Sequence, residues 1–308
     1  MQTIGRRAWL GSMAALPLAG LAAAGTHSDG RQSTPPRRQA SVRISCNLYS
    51  FNAPLTSGAL TLQQALDLCA GMGFDAVDPT GYYFTGYPEP PADAEIFRIK
   101  KHAFRLGLDI SGTGVRNDFA QPDLARREAD ITLVKRWIEV AAKLGAPVLR
   151  VFAGREVPAG HTEREAQDWV VESLEACIEH AGRFGVMIVL QNHNDLVKTA
   201  RQTLAIRSRI ASDWFGLNVD IGSLRTGDPY EEVARLAPFA YTWQIKELVY
   251  RQGREERVNL DAIVRIVRDA GYRGYLPIET LGAGDPAMKL HQFLGDVRAA
   301  LARRLPQD

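Results

Sequence analysis

Four segments of this 308-residue chain run from apolar residues into a side chain able to bind or catalyse. They are Ile188-Val189-Leu190-Gln191-Asn192-His193, Leu217-Asn218-Val219-Asp220, Trp243-Gln244-Ile245-Lys246-Glu247 and Leu276-Pro277-Ile278-Glu279. Residues two apart on an extended strand share a face, so Gln191 goes with His193 and Gln244 with Lys246. Gln191, Asp220, Gln244 and Glu279 together offer four oxygen donors, two anionic and two neutral. That set suits a hard divalent ion, Mg²⁺ or Mn²⁺ in preference to Zn²⁺, because no imidazole or thiolate is among them. Buried carboxylates need a cationic partner of some kind, and Lys246 is the alternative to a metal. Glu279 and His193 are the candidate bases, and Lys246 the candidate electrophile or acid.

Side chains this far apart in sequence meet only if a repeating architecture carries them. Short apolar runs alternate with amphipathic helical stretches through the chain, the pattern of β-α units on a parallel sheet. The expected strands are Arg43–Tyr49, Ala76–Pro79, Leu108–Thr113, Val148–Ala153, Met187–Asn192, Gly216–Ile221, Thr242–Glu247 and Tyr275–Thr280. Helices are expected over Ile131–Leu144, Glu165–Phe184 and Leu260–Ala270, and Asp228-Pro229 and Asp285-Pro286 read as N-caps followed by proline at the first helical position. Eight units without an internal linker predict one α/β domain, a (β/α)₈ TIM barrel over residues 41–308, whose active site gathers at the carboxyl ends of the strands. A doubly wound open sheet is the competitor, but no G-x-G-x-x-G follows the first strand. Asp78, in the aromatic-rich Val77-Asp78-Pro79-Thr80-Gly81-Tyr82-Tyr83-Phe84, is a candidate for substrate binding. Arg150 on the fourth strand, with Arg116, Glu156 and Arg251 in loops, can hold hydroxyls or a carboxylate. Gly282-Ala283-Gly284 is a weak phosphate signal, because Asp285 would repel one.

Residues 1–25 contain Gly5-Arg6-Arg7 and an Ala/Gly/Leu-rich stretch without charge, ending near Ala24, which reads as a cleaved twin-Arg export signal. Pro17 and the low hydrophobicity of alanine argue against a stable membrane anchor. Residues 26–40 are polar and Pro-rich, a disordered linker by composition. The expected address is periplasmic or secreted. Those forty residues hold five Arg and one Asp, so the body carries a net charge of −2, against +2 for the whole chain. An acidic body without a basic stripe excludes nucleic acid as a partner. Cys46, Cys69 and Cys177 form no CxxC pair and read as small buried apolar residues. A homo-oligomer is compatible with the sequence, which sets no subunit number.

The segments GFDAVDP, LRVFAG, VLQNHND, GLNVDIGS, WQIKE and YLPIET resemble those of the xylose isomerase-like TIM barrels. That family includes sugar isomerases, ketose 3-epimerases, inosose dehydratases and endonuclease IV, and the resemblance runs from Ser41 to about Leu305. It implies a metal held by Glu, Asp, His and Glu on the fifth to eighth strands. These positions fall on Gln191, Asp220, Gln244 and Glu279, so two of the four are replaced by amides. It implies a sugar isomerase or epimerase working through an enediolate on a small carbohydrate, unphosphorylated if the protein is exported. An amide cannot serve as the second base of a two-base epimerisation. A metal-assisted elimination on 3-keto-glycosides and a non-catalytic carbohydrate-binding barrel are the alternatives. The nuclease branch is disfavoured, since of six histidines only His193 stands at a strand end.

Overall fold

The computed structural model describes residues 42–303. The expected leader and linker, and Ser41, lie outside the described residues. Nine parallel segments make a ring: β1 (Arg43–Asn47), β2 (Ala76–Asp78), β3 (Asp109–Ile110), β4 (Thr113–Gly114), β5 (Val148–Phe152), β6 (Met187–Gln191), β7 (Phe215–Asp220), β8 (Ala240–Lys246) and, after the two-stranded hairpin β9 (Leu248–Arg251) and β10 (Arg254–Arg257), β11 (Tyr275–Glu279). Around the ring the order is β3-β2-β1-β11-β8-β7-β6-β5-β4. The third expected strand is therefore broken in two at Ser111-Gly112. Its first half pairs with β2 and its second with β5, so the TIM barrel closes through this interruption. A side chain at Gly112 would come within 2.8 Å of Val148 Cγ2, which marks how tightly the break is packed.

Helices cover the outside because each carries an apolar stripe. The helix Leu124–Leu144 buries Val134, Trp137, Ile138 and Ala141, spaced i, i+3, i+4 and i+7. It begins seven residues before the expected Ile131. Its first two turns, Leu124–Asp130, lack the apolar period and owe their start to Asp123, which accepts from the backbone N–H groups of Ala125 and Arg126. Asp228 and Asp285 cap the helices Pro229–Leu236 and Pro286–Ala302, as their Asp-Pro pairs indicate. The three cysteines are free and buried. Among the described residues no helix is long and apolar enough to cross a membrane.

One irregularity positions chemistry. Leu217 pairs with Ala240, but the next residue, Asn218, pairs with Thr242, leaving Tyr241 as an extra residue in β8. A bulge of one residue exchanges the faces of everything beyond it. Past it, Trp243 and Ile245 are buried in the core, while Gln244 and Lys246 look into the barrel mouth. Gly216 accommodates the displaced ring: a Cβ there would lie 2.4 Å from Tyr241 Cγ.

Candidate active site

Asp220, Lys246 and Glu279 end β7, β8 and β11. Asp220 pairs in register with Gln244, and Glu279 with Lys246. This brings both acids to one cation: Lys246 Nζ lies 3.0 Å from Asp220 Oδ2 and 3.2 Å from Glu279 Oε1. The amides complete the set. Gln191 Nε2 donates to Asp220 Oδ2 at 2.8 Å, and Gln244 Nε2 donates to Glu279 Oε2. Asp220 also accepts from Ser223 Oγ at 2.7 Å and from the Gly222 backbone N–H at 3.0 Å. Asn192 fixes the strand tip through its side chain, accepting from the Asp220 N–H at 2.9 Å and donating to the Asp220 carbonyl at 2.7 Å.

Burial governs the electrostatics. Desolvation alone would raise the Asp220 carboxyl, but Lys246, Ser223 and His193 outweigh it and hold the group below the usual aspartate value. Desolvation alone would lower the Lys246 ammonium, yet Asp220 and Glu279 hold it above the ordinary lysine value. The ammonium therefore stays charged throughout the neutral range and serves as a fixed donor rather than a base.

Gln191, Asp220, Gln244 and Glu279 converge from their strands as the sequence suggests. A divalent ion between the acids does not fit what they do there. The point between the carboxylates belongs to the ammonium, and both amides turn N–H groups, not oxygens, to the acids. Among the described residues no three or more His, Cys, Asp or Glu side chains converge as a metal site.

Above this floor opens a cavity of about 680 Å³, into which Gln191, His193, Gln244, Lys246 and Glu279 project. Asp220 lies beneath it, fully buried. His193 Nδ1 stands 2.8 Å from Asp195 Oδ2, without good hydrogen-bond alignment, and its ring meets Phe152 edge-on at 5.0 Å. Arg150 and Arg116 line the wall. Asp78 sits below the wall rather than on it, accepting a long 3.5 Å bond from Asn47 Nδ2. Burial pushes its carboxyl up to about 6, with Arg150 opposing and Glu279 adding to the rise.

Besides Asp78, two more expected substrate contacts are not brought to the cavity. Glu156 points into solvent from the loop after β5, while its neighbour Arg155 faces the cavity. Arg251 lies on the hairpin, paired with Asp228 and with Glu256 at 3.2 Å. Strand alternation there sends Tyr250 to the cavity and Arg251 away. The structure adds Tyr49, Tyr82 and Tyr250 to the wall. Tyr49 and Tyr82 stand edge to face at 6.5 Å, and Tyr250 carries the Arg225 guanidinium at 3.6 Å from its ring centre. Tyr49 was within reach of the strand-end rule, since it closes the first expected strand; Tyr250 was not, because its hairpin went unread.

Residues 66–297 match the model of the family described as xylose isomerase-like TIM barrel. The chain is 22% identical over 233 residues to a putative hydroxypyruvate isomerase from Xenopus laevis, covering 69% of this chain and 82% of that protein. Its fold is similar to that of 3-keto-D-glucoside 4-epimerase from E. coli, with a TM-score of 0.68, 15% identity and coverage of 84% of this chain and all of that one. It is also similar to a xylose isomerase-like TIM barrel protein from Mycobacterium smegmatis in complex with magnesium, with a TM-score of 0.63, 20% identity and coverage of 85% and 98%. At these identities the likeness concerns the fold.

Proposed function

The chain belongs to the xylose isomerase-like TIM barrel family, and on that premise we propose that it is a sugar isomerase-type enzyme in which a lysine takes the metal's place. The supporting observation is the Lys246 ammonium held 3.0 and 3.2 Å from Asp220 and Glu279 at the cavity floor. In this reading Glu279 removes the proton from the carbon beside the substrate carbonyl. The electron pair moves to the carbonyl oxygen, and Lys246 N–H stabilises the resulting enediolate. The neighbouring hydroxyl passes its proton to the former carbonyl oxygen, and the same carboxyl returns the abstracted proton to the former carbonyl carbon, which interconverts aldose and ketose with one base. Epimerisation at a single carbon would need an acid on the opposite face, and His193 at the cavity rim is the group available for it.

A twin-Arg leader, as read in residues 1–25, supports a periplasmic or secreted enzyme, where sugar phosphates are scarce and an unphosphorylated sugar is the substrate. A second reading, elimination at a 3-keto-glycoside, is favoured by the same single base and by the likeness to a 3-keto-D-glucoside epimerase. Incubation with free aldoses, ketoses and 3-keto-glucosides in D₂O separates the two. Carbon-bound deuterium in a recovered isomer is the expected result; release of the aglycone with an unsaturated product supports elimination instead. Binding without turnover of any of these would leave a carbohydrate-binding barrel. The same assay with a chelator tests the lysine: activity is expected to persist, and loss restored by Mg²⁺ or Mn²⁺ would overturn its role.

A further inference from the structure

We infer that the cavity wall at Arg150 receives an anionic group of the substrate, a carboxylate or a phosphate. The sugar to which that group is attached rests on the reading above; the anion does not. Arg150 is only 7% exposed, yet it faces the cavity. Both of its hydrogen bonds leave from Nη1 and go to neutral acceptors, the Val115 carbonyl at 2.6 Å and Tyr82 Oη at 3.0 Å. Among the described residues, Nε and Nη2 have no hydrogen-bond partner and no carboxylate lies within ion-pair distance of the guanidinium. Arg127, the other buried arginine, also bonds only to carbonyls, those of Gln121 and Pro122, but does not line the cavity; the cavity's other inner cation, Lys246, has two acids against it.

A largely buried guanidinium without a bonded counterion is costly, and its planar fork matches carboxylate and phosphate oxygens two at a time. The surroundings are shaped for it. The charge lies 4.3 Å from the Phe152 ring centre and 5.7 Å from that of Tyr82. Gly114 leaves the space the plane occupies, since a Cβ there would come within 2.7 Å of both Cζ and Nη2. Arg116, also on the wall, stands 5.5 Å from the same Tyr82 ring and adds a second positive charge. Asp78 interacts with Arg150 electrostatically but is neither hydrogen-bonded to it nor within ion-pair distance.

Calorimetric binding of D-glucuronate, D-galacturonate and glucose 6-phosphate, each against its neutral parent hexose, tests the inference on the full chain. Charged probes are expected to bind about tenfold or more tightly than their parents, the usual scale of a charge-assisted pair. Arg150→Met is expected to erase that preference and Arg150→Lys to keep part of it. Equal affinity for charged and neutral probes in the wild type overturns the inference, as does a preference that survives Arg150→Met. If Arg150→Met does not fold, the wild-type comparison and Arg150→Lys decide. Tighter binding of the uronates assigns a carboxylate. Tighter binding of glucose 6-phosphate assigns a phosphate, which removes the unphosphorylated substrate proposed above but leaves the anion site standing. Because the readout is equilibrium binding, a protein that turns over no sugar yet selects acids loses the isomerase reading and keeps this one.

Discussion

Among the described residues the same arrangement occurs twice: one cation between two carboxylates. At the barrel floor Lys246 joins Asp220 and Glu279, and on the hairpin Arg251 joins Asp228 and Glu256. The side chains of the first trio are 12%, 0% and 3% exposed; those of the second are 41%, 29% and 36% exposed. Water screens the hairpin trio, whose contribution is that of an ordinary surface ion pair. At the floor the three charges are balanced only by each other, with neutral donors around them, so removing one leaves the others uncompensated. Burial, rather than the identity of the residues, separates a site from a surface decoration.

The sharpest way to break this contrast is Lys246→Met. It is expected to cost about 3–5 kcal/mol in urea unfolding, the usual penalty for orphaning a buried charge. Adding Glu279→Gln to that variant should recover part of the loss, and a fully additive double variant would show that the acids do not depend on the lysine. Glu279→Gln alone is expected to lower kcat by about 10²–10⁴ as the base is lost, with a smaller effect on stability because Asp220 still holds the ammonium. Turnover retained in that variant removes Glu279 from the mechanism.

A third acid extends the contrast. Asp78 is buried without a bonded cation, and its carboxyl titrates near 6 rather than at 3.8. A raised acid stabilises the fold fully below its unfolded value and loses that contribution as pH rises through the folded one. The wild type should therefore lose up to about 2–3 kcal/mol from this group between pH 4 and pH 7, and Asp78→Asn should flatten that slope. Asp220 has the opposite sign: its depressed value adds stability above the unfolded pKa and loses it as pH falls through the folded one. The smallest effect is expected from Arg251→Ala, which should leave the unfolding midpoint and turnover unchanged in 0.5 M salt. A large change there would erase the distinction between the two trios.

The barrel was legible because its strands are apolar runs punctuated by Gly, Pro and Asp, and all eight appear where that punctuation puts them. The break at Ser111-Gly112 was not, since a two-residue interruption leaves the apolar pattern intact. The hairpin escaped for another reason: Tyr250-Arg251-Gln252-Gly253-Arg254-Glu255 alternates almost without apolar residues, and the turn shows itself only in the positive φ of Gln252 and Gly253. Counting residues in twos placed Gln191, Asp220, Gln244, Lys246 and Glu279 at one mouth. Whether the acids would grip a metal or the lysine depended on distances across three strands, which no spacing within one strand encodes. Charged loop residues near strand ends, such as Arg251 and Glu156, look alike in sequence, and only the path of each loop tells which way they turn.

Glu279 rides on β11, which lies between β8 and β1 and so joins the last-made strands to the first. A chain still emerging from the ribosome, with Tyr275 not yet released, already owns Asp220 and Lys246 and can pair them. It lacks the second carboxylate against the lysine and has an open seam where the sheet will meet. On the one-base reading proposed above, the final strand delivers the seal and the base in one motion, so an unfinished copy of this protein would be inert by construction.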